Sequence, residues 1–111
     1  MKNIARLLIL STAALALPAF AQATGNADAG KEKAVAICSG CHGVPGTKTA
    51  FPIVYHVPKI GGQTASYIVS ALKAYKAGDR ANDTMRALAS ALSEKEMADI
   101  AAYYASASHG K

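Results

Sequence analysis

The sequence predicts an all-α domain of three to five helices. Three observations carry this. Apolar residues recur at three- and four-residue spacing over 67–75 and again over 97–104. Residues that start and stop helices bracket both runs. No two segments alternate with a period of two in a way that would let them pair as strands, and no internal repeat is present.

The chain of 111 residues has room for one domain. Its opening reads as a leader for export. Lys2 and Arg6 precede an eleven-residue apolar run, Leu7 to Leu17, and then Pro18 and the small-residue pairs around Ala19, Ala21 and Ala23. Spanning a bilayer takes about 20 apolar residues, so this run reads as a signal peptide rather than an anchor. Residues 1–21 are assigned to it, with cleavage after Ala21 and Ala23 as the alternative, and 22–111 to the mature domain. Twelve Lys and Arg then become ten, against seven Asp and Glu, a balance of +3. The surplus is mild, no dense basic run exists, and Trp is absent, which argues against a nucleic-acid surface. It leaves room for a salt-sensitive preference for acidic partner proteins.

In the mature chain, Asn26 or Asp28 can cap a first helix from about Ala29 to Ile37. Gly40, Gly43, Pro45 and Gly46 then break regularity, and Pro52, Pro58, Gly61 and Gly62 make 44–63 an ordered loop. The stretch "FPIVYHV" (51–57) has strand composition but stands between prolines with nothing to pair with. Thr64 caps a second helix with Tyr67, Ile68, Ala71, Leu72 and Tyr75 on one face, and Gly78 ends it. After the loop "GDRANDT", Met85 to Leu92 form a short helix. Ser93 and Glu96 make a capping box for the last helix, which carries Met97, Ile100, Ala101 and Tyr104 on one face and ends near Ser108.

The mature chain is rich in alanine and short of large apolar side chains. A domain this small buries a modest share of its surface and needs a staple. Its only two cysteines, Cys38 and Cys41, stand three apart with His42 directly after, in "AICSGCHGVPG". A redox disulfide requires a thiol pair at a helix N-terminus, on a βαβ scaffold in the thioredoxin type; here the pair follows a helix and strands are lacking. A structural zinc needs four ligands, and no second cysteine pair exists. Covalent haem fits best. Two cysteines three apart lie on one side of a helical turn, where both sulfurs reach the two vinyl groups on one porphyrin edge. The next residue then aims its imidazole at the iron, and Cys-x-x-Cys-His is the attachment signature of haem c. A large apolar cofactor also supplies the missing core.

Haem iron in electron-transfer cytochromes commonly takes His and Met. Beyond His42, the candidates for the second ligand are Met85, Met97, His56 and His109. Met97 lies on the apolar face of the last helix and reads as core. His56 sits in the proline-bounded loop and His109 two residues from the end. Met85 follows a polar loop, where a thioether can swing over a ring face, and is preferred, with His56 and Met97 left open. His/Met ligation raises the reduction potential relative to two imidazoles.

The chain resembles the short bacterial class I c-type cytochromes, including one half of the tandem dihaem periplasmic kind. The resemblance covers nearly all of 26–107 through "CSGCHG", "PKIGGQTASYIVSALKAYKAGDR" (58–80) and "NDTMRALASALSEKEMADIAAYYAS" (82–106). It implies a small cytochrome c-like fold wrapped around one covalently bound haem c. Cys38 and Cys41 would form the thioethers, with His42 and Met85 as axial ligands. Pro58 would offer its carbonyl to the ligand histidine, and Gln63, Tyr67 and Arg80 would lie near the propionates. The expected function is periplasmic single-electron transfer between redox partner proteins, with no catalytic step on this chain. Lys31, Lys33, Lys48, Lys59, Lys73 and Lys76 would either ring the exposed haem edge for an acidic partner or stand as ordinary solvated charges. Two rivals remain: a five-coordinate haem protein binding a small gas, and the haem subunit of a periplasmic dehydrogenase. The segment "TKTAFPIVYHV" is longer than the family pattern and leaves the loop path and distal ligand open.

Overall fold

The computed structural model describes residues 24–49 and 56–106. The expected leader, residues 51–55 of the strand-like stretch, and His109 lie outside them. Five helices run in order: α1 (Ala27–Ile37), α2 (Ser39–His42), α3 (Ala65–Ala77), α4 (Asp83–Ser90) and α5 (Glu94–Ala105). The described residues contain no strand.

Each longer helix begins at a residue whose side chain satisfies otherwise unpaired backbone N–H groups. Asn26 accepts from the N–H groups of Asp28 and Ala29 at the head of α1. Thr64 accepts from Tyr67 N–H at the head of α3, and Asn82 from Met85 N–H at the head of α4. Ser93 and Glu96 close a complete capping box on α5. Gly78 ends α3 with φ +87°, donating to the carbonyls of Ala74 and Tyr75. That left-handed conformation suits glycine.

The boundaries differ from expectation at the start of α1, at both ends of α4, which stops at Ser90 rather than Leu92, and at the end of α5. Helix α1 starts two residues earlier, because Asn26 rather than Asp28 is the cap. Helix α4 also begins two residues early, since Asn82 nucleates it ahead of Met85. Helix α5 ends at Ala105, with the Ser106 N–H bonded back to Ala102. The short α2 was hidden in the sequence by Gly40 within it and Gly43 after it.

Helix α1 crosses α5, and α3 packs on both α4 and α5. The core is small: Ala34, Ile68, Leu72, Ala89, Leu92, Met97, Ile100, Ala101 and Tyr104. The α1/α5 crossing is close because glycine sits in it. A Cβ on Gly30 would lie 1.9 Å from the Asp99 carbonyl oxygen, and one on Gly25 would lie 1.9 Å from that of Ala98. Asp99, a buried carboxylate, fastens the same crossing. It accepts from Asn26 N–H at 2.7 Å and from Lys95 Nζ at 2.6 Å. Both bonds hold its carboxyl below the ordinary carboxylate range, Lys95 most. Lys33 reaches from α1 to Glu96 on α5 at 2.7 Å.

Candidate functional site

The Cys-x-x-Cys-His motif lies where α1 gives way to α2. Cys38 is the residue between them, closing one helix as its C-cap and preceding the next. Its carbonyl accepts from both Cys41 N–H at 3.2 Å and His42 N–H at 2.9 Å. The two thiols therefore share one helical turn, as their spacing requires. Both cysteines are free. Cys41 is exposed, whereas Cys38 is half-buried against the core. Burial pushes the Cys38 thiol up to about 11. A disulfide oxidoreductase needs the opposite shift. Among the described residues, no three His, Cys, Asp or Glu side chains gather as a metal cluster.

His42 is fixed by its neighbours in space. Its Nδ1 lies 2.7 Å from the Pro58 carbonyl oxygen. A carbonyl only accepts, so Nδ1 carries the proton and donates. That leaves Nε2 with its lone pair, the nitrogen able to bind a metal. Gly43 follows with φ +71°, and Thr47 Oγ1 bonds both the N–H and the carbonyl of Val44. Glycine is required at 43 twice over: by its φ, and because a Cβ would meet Thr47 Oγ1 at 2.5 Å and the Lys48 carbonyl at 2.8 Å. The 58–62 segment stacks on this turn, with Gly61 against Pro45.

Tyr104 is a residue whose place at the site sequence alone did not reveal. It was expected on the apolar face of α5, and it is fully buried there. Its hydroxyl donates to the Gly43 carbonyl at 2.8 Å, and its carbonyl accepts from Gly62 N–H at 2.9 Å. Burial first, and Cys38 next, hold this phenol above its ordinary range. A buried tyrosine needs a partner for its hydroxyl, which was the available signal, but not which partner.

Met85 stands in the first turn of α4 rather than in a loop. It is half-buried and packs against the same core as Cys38, its N–H held by Asn82 Oδ1 at 2.9 Å. Met97 is fully buried in α5, in keeping with a core role. His56 is exposed and adopts φ +49°. Arg80 donates to Tyr67 Oη at 3.3 Å and lies over the Tyr75 ring, 4.8 Å from its centroid. Gln63 is turned onto its own neighbour, accepting from Thr64 N–H. Ile37, Val44 and Tyr67 leave large apolar surface exposed.

Three of the six lysines named from the sequence have partners within the chain. Lys33 pairs with Glu96 and Lys73 with Glu94, while Lys76 donates to the Leu92 carbonyl at 2.6 Å. These three hold helices to one another or to a helix junction.

The family model described as Cytochrome c matches residues 27–108. The chain belongs to the cytochrome c family. It is similar to cytochrome c4 of Pseudomonas aeruginosa, 39% identical over 101 residues that cover 91% of this chain and 48% of that protein. It is similar also to cytochrome c-554(548) of Halomonas halodenitrificans, 42% identical over 85 residues, 74% of this chain and 96% of that protein. A third relative, cytochrome c4 of Thiocapsa roseopersicina, is 40% identical over 87 residues, 78% of this chain and 43% of that protein. The chain thus spans about half the length of the cytochrome c4 relatives. With the helical architecture and Cys38, Cys41 and His42 in sequence, it is a class I c-type cytochrome. Among the described residues, no helix is long and apolar enough to cross a membrane.

Proposed function

We propose that the chain is a periplasmic cytochrome that carries single electrons between redox partner proteins through one covalently bound haem c. Cys38 and Cys41 are its attachment points, His42 and Met85 its axial ligands, and Pro58 the acceptor that orients His42. The haem supplies an Fe(III)/Fe(II) couple when bound. The protein's part is to hold, orient and insulate it.

The observation that carries this reading is the 2.7 Å bond from His42 Nδ1 to the Pro58 carbonyl. It selects the tautomer in which Nε2 is free to ligate, and it makes the ring a better electron donor. The donor set fits the group in two further respects. Two free thiols sit on one turn beside the imidazole. Ile37 and Val44, close in sequence to the motif, are left exposed and suit a hydrophobic partner that shields them from water. The periplasmic assignment rests on the leader composition and on the thioether chemistry. The charge balance of +3 for the mature chain favours acidic partners.

The test uses the polypeptide isolated from its native host. Extraction with acid and organic solvent is expected to leave the colour on the protein. Slow or absent binding of carbon monoxide at neutral pH is expected of a six-coordinate carrier. Colour lost to the solvent would refute covalent haem; rapid carbon monoxide binding would replace the carrier with a gas-binding protein.

A further inference from the structure

Tyr104 does more than fill the core. Its hydroxyl grips the carbonyl of Gly43, the residue after His42, and its own carbonyl receives the N–H of Gly62, four residues beyond Pro58. His42 and Pro58 are joined directly at 2.7 Å. These contacts form a closed ring through His42, Gly43, Tyr104, Gly62 and Pro58, with α5 as its rigid side. The turn at Gly43 is braced from within by Thr47, and the Gly62 turn by the Gln63 N–H bond to Ile60. Each half is thus stiff locally, and Tyr104 holds both to one helix.

We infer that Tyr104 is a positioning residue that holds the His42 imidazole against the Pro58 carbonyl and so tunes the ring's electron donation to the iron. This rests on His42 being the proximal ligand, as proposed above. A firm Nδ1–H···O bond enriches the imidazole and favours Fe(III), which lowers the reduction potential. Loosening the bond raises it.

The experiment uses the haem-loaded chain. Tyr104→Phe keeps the buried ring and the main-chain bond to Gly62, and removes one O–H group. Tyr103→Phe, on the adjoining ring with centroids 5.2 Å apart, is the control. Solvent exchange of the His42 Nδ1 proton is followed by NMR in the reduced protein, alongside the midpoint potential. Tyr104→Phe is expected to speed the exchange about tenfold and to raise the potential, as loss of a hydrogen bond tying the ligand turn to α5 requires. Tyr103→Phe is expected to change neither. A Tyr104→Phe protein that loses thermal stability while exchange and potential stay at wild-type values would make Tyr104 a packing residue and overturn the inference. Should that variant fail to fold, native-state exchange of the wild type decides: the His42 Nδ1 proton and the Gly62 amide are expected to open with one common denaturant dependence, and separate dependences overturn the inference. Colour lost from the wild type in acid and organic solvent would instead overturn the haem reading beneath it.

Discussion

At the scale of single residues, the geometry of the Cys-x-x-Cys-His motif was legible because it is local. Cys38, Cys41 and His42 are neighbours in sequence, and the spacing itself states the helical turn that the structure contains. Pro58 was another matter. Nothing in a lone proline announces a carbonyl acceptor 16 residues from its histidine, and only the family resemblance pointed to it. Met85 was preferred because it follows a polar loop, and it stands in the first turn of α4. Asn82 pins the first turn, and the side chain packs beside the core that Cys38 also touches. The two internal methionines separate by experiment. Met85→Ala is expected to abolish the iron–sulfur charge-transfer band of the oxidised protein. Met97→Ala is expected to keep that band while costing about 2–5 kcal/mol in urea unfolding, since it empties a fully buried site. A lost band in Met97→Ala with an intact one in Met85→Ala would reverse the ligand assignment.

At the scale of elements, caps were readable and crossings were not. Ser93 and Glu96 lie three apart and declare α5 on their own. Gly30 meets Asp99 across 69 positions, and no local pattern reports such a meeting. Substitution at Gly30 tests the crossing by its sign. Alanine is about 1 kcal/mol better than glycine inside a helix, so an open site would be stabilised. Here the new methyl would fall 1.9 Å from a backbone carbonyl, and overpacking against unyielding backbone costs about 1–3 kcal/mol or more. Gly30→Ala is therefore expected to lower the thermal midpoint; a rise would mean the helices do not meet there. The same interface gives α5 a pH dependence. Lys33, then Ser93, draw the Glu96 carboxyl from 4.5 down to about 2. A depressed folded-state value means the stabilisation is whole above the unfolded value of 4.5 and disappears as pH falls from there to about 2. Denaturant titrations of wild type and Glu96→Gln are expected to differ at pH 6 and to draw together as pH falls toward 2, as Glu96 takes up its proton. A constant difference across that range would remove Glu96 from the account.

At the scale of the whole molecule, composition foretold an undersized core, and the structure bears this out. Of the nine residues in the core cluster, three are alanines. So few buried side chains among the described residues, set against the conformational entropy of a domain, leave little margin. The double variant Cys38→Ser with Cys41→Ser, which removes both proposed attachment points, is expected to have much weaker helical circular dichroism at neutral pH and no cooperative thermal transition. A sharp transition like that of the loaded protein would show that the helices fold without the prosthetic group. What composition could not convey is the order of events imposed by the interlock of α1 with α5. The thiols are among the early residues of the domain, whereas the tyrosine that braces their turn belongs to its last described helix. Until α5 has packed, the thiols therefore stand on a segment that nothing braces. Docking of α5 onto α1 is what closes the motif turn around them.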